Sequence, residues 1–69
     1  MTMMEYIYAC MAVRKMTKRE LSEKMGQSPQ NMNAKFRRES FRPEEIKEIA
    51  NILGADVRFI DKETGKPIV

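Results

Sequence analysis

The stretch TKRELSEKMGQSPQNMNAKFRR, Thr17 to Arg38, constrains the fold more than any other part of this 69-residue chain. It carries two short helical patterns, each with its own start signal, joined by a few residues around Gly26. Thr17 serves as N-cap of the first, which runs from Lys18 to Met25 and buries Leu21 and Met25. Gly26 suits the left-handed position that ends a helix. Ser28 then caps a second helix, with Pro29 at the first helical position, where its missing N–H does no harm. That helix reaches about Arg37 and turns Met32 and Phe36 inward. Two helices joined so closely cannot separate. The second must lie across the first, with its outer face left free.

This pairing has the geometry of a helix-turn-helix that reads the DNA major groove. A further helix is expected on each side. Met3 to about Arg14 is opened by a capping box of Thr2 and Glu5, and Met4, Ile7, Tyr8 and Met11 face the core at helical intervals. Pro43 to Leu53 turns Ile46, Ile49, Ala50 and Leu53 inward and ends at Gly54. Arg42 is a poor cap, so Glu45 is expected to reach back to the start of this helix. Beyond Gly54 the period changes from 3.6 to 2, so Val57–Ile60 and Lys66–Val69 read as two strands around a turn at Thr64-Gly65. Pro67 confines the second strand to an edge.

Charge supports a polyanion partner through its placement rather than its total. The net charge is +3, yet residues 14–42 hold nine basic and three acidic side chains, leaving the remainder negative. With 33% charged residues and no long apolar run, a membrane span is excluded, and no secretion signal is evident. One cysteine, Cys10, and no histidine predict a reducing, cytoplasmic setting without disulfide or zinc site. Cys10 is read as a small apolar residue, and the seven methionines as core filler rather than a peptide groove. No cofactor or small-molecule ligand is indicated. Glu44 and Glu45 point to different helix faces, and an enzyme is not expected.

Leu21, Gly26, Ser28 and Met32, together with Ile49-Ala50-x-x-Leu53-Gly54, resemble the Cro/cI-type, XRE-like helix-turn-helix repressors of phages and bacteria. The resemblance covers about residues 3–54. It implies a mainly α, lambda-repressor-like DNA-binding domain of four to five helices, here with a short C-terminal β-hairpin. Residues 1–54 would form the DNA-binding unit, and residues 55–69 a dimerisation element of the same domain. The chain departs from the family at four places. Lys18 stands where Gln is usual, Ser22 where Ala is usual, and Gln27 and Lys35 where apolar residues are usual. Because Phe36 replaces position 35 as the inward residue, a slight roll of this helix is expected.

With Met32 and Phe36 inward, base contacts fall to Gln30, Asn33, Ala34 and Arg37, with Asn31 on the flank. Asn and Gln can pair bidentately with adenine, Arg with guanine, and Ala can touch a thymine methyl. Phosphate contacts are expected from Thr17, Lys18 and Ser28 at helix starts, and from Lys35, Arg38 and Arg42 beyond. A lone hairpin is marginal, so Val57, Phe59, Ile60 and Ile68 are expected to pair with a second copy, or to fold back onto the chain's own helices. A two-fold dimer would place two reading helices about 34 Å apart over a palindrome. These observations predict a homodimeric, sequence-specific regulator of double-stranded DNA, acting as a repressor by excluding polymerase. The alternative is an antitoxin-like adaptor or protein-interaction module on the same fold.

Overall fold

The computed structural model describes residues 1–69 and contains four helices: α1 (Met3–Arg14), α2 (Lys18–Met25), α3 (Pro29–Arg38) and α4 (Pro43–Ile52). There is no fifth. Each start is fixed by local hydrogen-bond chemistry. Thr2 and Glu5 exchange side-chain and backbone bonds at 3.2 Å, and Thr17 and Glu20 do the same at 3.1 and 3.4 Å. The Ser28 hydroxyl accepts the Asn31 N–H at 3.2 Å. At α4 the expected substitution occurs, and Glu45 Oε1 accepts the Arg42 N–H at 3.1 Å.

All four helices end alike. Met16, Gln27, Ser40 and Ala55 each donate a backbone N–H to a carbonyl five residues back, at 2.8–3.1 Å. This closure needs a left-handed residue just before the donor. Gly26 and Gly54 supply it at φ 69° and 75°, but Lys15 and Glu39 must adopt φ 55° and 52° despite their Cβ atoms.

The core joins Met4, Ile7 and Met11 of α1, Leu21 of α2, Met32 and Phe36 of α3, and Ile49 with Leu53 from α4 and its end. Met16, Met25, Phe41 and Ile52 pack around it, so five of the seven methionines fill core space. Ile46 and Ala50 are half-buried. Tyr8 departs from expectation. It lies at the core's edge, 41% exposed, with its ring stacked on Phe36 at 5.4 Å. The α1 stripe of Met4, Ile7 and Met11 already fills the interior, and the phenol oxygen stays in water. Arg14 Nε donates to the Leu53 carbonyl at 2.9 Å and clamps the end of α1 to the end of α4.

The C-terminal β-hairpin does not form as a ladder. Its turn is present: Asp61 pairs with Lys66 and Gly65 through backbone bonds of 2.8 and 2.9 Å, and Asp61 Oδ1 accepts the Glu63 N–H at 2.7 Å. The strands reduce to one antiparallel bridge between Ile60 and Pro67, flanked by an Ile68 N–H to Phe59 carbonyl bond. Pro67 cannot donate to the next rung, and no third strand supports the pair. Every residue from Gly54 to Val69 except Asp61 is exposed, and the longest dimension of 42 Å is about twice the other two. Ala55 to Arg58 line an apolar hollow with Ile7 and Cys10 of α1 and Ile46 of α4, and the tail stays exposed.

Candidate nucleic-acid interface

Helix α3 is held by its inward side. Met32 is fully buried, and Phe36 is 3% exposed. The Phe36 ring meets Tyr8 from α1 and, edge-on at 5.0 Å, Phe41 from the loop before α4. The opposite side carries Gln30, Asn33 and Arg37, all exposed, with Ala34 half-buried between them. Amides and a guanidinium on one face of a braced helix can match base edges, since an amide offers a donor beside an acceptor and a guanidinium offers paired donors, each in fixed geometry.

The expected phosphate-binding residues divide into two groups. Lys18 Nζ stands 5.4 Å from the Tyr8 ring centroid and 5.2 Å from that of Phe36, so its ammonium is steered by two aromatic faces. Together with Arg19, Pro29 and Asn33 it lines a polar hollow where the start of α2 meets the outer side of α3. The Thr17 and Ser28 hydroxyls serve as caps, leaving the N–H groups of Lys18, Arg19 and Gln30 unpaired at two adjacent helix starts. Arg38 and Arg42 are exposed and form no ion pair within the chain.

Lys35, unlike Arg38 and Arg42, has a partner within the chain. Its half-buried ammonium contacts Glu45 Oε2 from α4, in a polar hollow it shares with Ser40 and Arg42. The reason is geometric: with Met32 and Phe36 inward, position 35 faces the start of α4, where an acidic group already waits. Gln27 completes the cluster. Its Nε2 donates to Glu45 Oε2 at 3.3 Å, and its Oε1 accepts from Asn31 Nδ2 at 2.9 Å. Glu45 thus gathers Lys35, the Arg42 N–H and Gln27. The Lys35 hydrogen bond chiefly holds its carboxyl below the ordinary value of 4.5, helped by the other two and opposed by partial burial.

Three contributors to this face were missed in the sequence: Gln27, Glu45 and Arg19. A usable signal existed for the first two, because Lys35 and Gln27 occupy positions where apolar residues are usual. Half-buried polar groups require partners, and Glu45 is the acid that supplies one. The predicted pairing residues Val57, Phe59, Ile60 and Ile68 are 46%, 78%, 52% and 68% exposed. No helix is long and apolar enough to cross a membrane.

Among known families, the description that matches is the Cro/C1-type HTH DNA-binding domain, over residues 7–58. The match spans all of α2, α3 and α4, most of α1, and the first residues after α4. No curated protein and no solved structure is matched significantly. The match covers most of the chain and is centred on the two braced helices, so this protein belongs to the Cro/C1-type helix-turn-helix DNA-binding family.

Proposed function

We propose that this protein is a homodimeric, sequence-specific repressor that inserts α3 into the major groove of a palindromic operator. The observation that carries the proposal is the exposed row of Gln30, Asn33 and Arg37 on a helix whose other side is locked by Met32 and Phe36. With Asn31 at the flank and Ala34 between, this row reads base edges. Thr17, Lys18, Ser28, Arg38 and Arg42 hold the phosphates, joined by Arg19 across the hollow it shares with Lys18. Lys35 is left out of that set because Glu45 engages it.

A homodimer is supported by the tail, where Val57, Phe59, Ile60 and Ile68 lie exposed and an Ile68 N–H to Phe59 carbonyl bond brings the two ends of the group together. Clustered exposed apolar side chains favour a protein partner, and a second copy would also supply the rungs that Pro67 cannot. Repression follows from occupying an operator and needs no chemistry from the protein.

Selection of bound sequences from a random duplex pool tests all of this together. A consensus of two inverted half-sites is expected, with binding that weakens steeply in salt. Lys18→Ala should flatten the log–log salt slope by about one unit while leaving base preference intact. Arg37→Ala should relax preference at one base pair. An adaptor or antitoxin-like module would instead enrich no sequence, and Arg37→Ala would leave its activity unchanged.

A further inference from the structure

We infer that Glu45 fixes, through Gln27, which way round the Asn31 side-chain amide faces, and so makes Asn31 select adenine. This rests on the DNA-reading role proposed above for α3. Neither Glu45 nor Gln27 touches the base in this scheme. They are positioning residues.

The direction of the hydrogen bonds follows from charge. An ionised carboxylate only accepts, so the Gln27 group facing Glu45 Oε2 must be its NH₂, as found at 3.3 Å. That leaves the Gln27 carbonyl oxygen toward α3, where it can only accept. The Asn31 group facing it must then be the NH₂, as found at 2.9 Å. One charge therefore orders two amides in sequence, each of which could otherwise flip with little cost. The Arg42 N–H donates to the other carboxylate oxygen, so the group stays anchored with or without the Lys35 contact.

Asn31 is exposed in the first turn of α3, the part of a recognition helix that approaches base edges. After its bond to Gln27 it retains Oδ1 and a second Nδ2 hydrogen, neither of which is engaged within the chain. One acceptor and one donor side by side match adenine, which offers the N6 amino donor beside the N7 acceptor. Guanine and thymine present only acceptors on that edge, through O6 and N7 or through O4. A flipped Asn31, with its NH₂ outward, would suit those bases instead. The ordered relay disfavours that state.

The experiment uses the full chain and a selected duplex. Asn31→Ala identifies the base pair in question as the one whose preference it abolishes, and that pair is then varied through all four bases in equilibrium binding measurements. The wild type should favour adenine over guanine there by roughly tenfold or more, the discrimination of a bidentate contact. Glu45→Gln and Gln27→Ala should each cut that ratio severalfold, with guanine gaining most, and combining them should cut it no further. Lys35→Met is the control, since it breaks the same ion pair yet leaves an acceptor-only carboxylate, and it should retain the wild-type ratio. Gln27→Ala carries the test if Glu45→Gln proves poorly folded by circular dichroism. The inference is overturned if the relay variants keep the wild-type ratio, if Lys35→Met loses it, if the wild type prefers guanine or thymine there, or if Asn31→Ala alters no position. A wild type that selects no sequence at all sinks the DNA-reading proposal itself. A clear consensus with an unaltered ratio sinks only the relay.

Discussion

Phe36 is the residue whose replacement most directly tests how α3 is seated. Its side chain is 3% exposed and touches the Tyr8 and Phe41 rings, while Lys18 Nζ lies 5.2 Å from its centroid. Phe36→Ala removes this payload and leaves a cavity, a change that costs about 3–5 kcal/mol. A 69-residue domain has only about 3–10 kcal/mol of total stability, so the variant should lose at least about a third of it. Phe36→Leu keeps most of the apolar burial and loses the ring pairs, for which about 1–2 kcal/mol is expected. At roughly 4–8 °C per kcal/mol, its melting temperature should fall by about 10 °C. Urea unfolding followed by far-ultraviolet circular dichroism measures both. A Tyr8→Leu cycle should return a coupling of about 0.5–1.5 kcal/mol for the stacked pair. If α3 instead took the spacing usual in the family, position 35 would be the inward one. The reasoning is refuted if Phe36→Ala costs less than about 1 kcal/mol while Lys35→Leu raises the melting temperature.

Two further outcomes follow from local chemistry. Glu39→Gly should stabilise the fold by about 0.5–1 kcal/mol, seen as a higher melting temperature, because glycine accepts the φ of 52° and an acid leaves the negative end of α3. The Glu45 carboxyl titrates lower when folded than when unfolded, so its contribution is complete above its ordinary value of 4.5 and fades as pH falls through the depressed folded value. The stability gap between wild type and Glu45→Gln should therefore hold steady from neutral pH to about 5 and close in more acidic buffer.

The parts of the fold that could be read in the sequence are those decided within a few residues. Thr2 with Glu5, Thr17, and Ser28-Pro29 place three helix starts correctly because a cap needs only its own first turn. Helix ends were less legible. Gly26 and Gly54 announce theirs, whereas Lys15 and Glu39 take the same backbone position with no residue-type signal. Tyr8 shows the limit of periodicity, which assigns a face but not a depth. The tail shows the limit of strand propensity, since alternation cannot supply a neighbouring strand. Within the site, the outward row of α3 followed from its inward pair, but the fate of Lys35 did not. Its partner lies ten positions away on another helix, a distance at which only tertiary packing decides.

The departures from the family pattern are intelligible together rather than singly. Ser22 is fully buried, yet its hydroxyl donates to the Arg19 carbonyl at 2.7 Å, so an alanine site tolerates it. Lys18 gains two aromatic faces because the inward residue is Phe36 and not residue 35. Gln27 and Lys35 are polar at usually apolar positions, and both converge on Glu45. A half-buried ion pair gives little net stability, but breaking one leaves a charge without its partner. Lys35→Leu, although it restores a family-like residue, should thus cost about 1–3 kcal/mol. Adding Glu45→Gln removes the stranded charge while keeping an oxygen for the Arg42 N–H and an amide opposite Gln27. The double variant should recover at least about 1 kcal/mol relative to the sum of the single changes. Additive losses in urea unfolding would mean that Lys35 and Glu45 are merely adjacent, and that the polar cluster at the foot of α3 arose piece by piece.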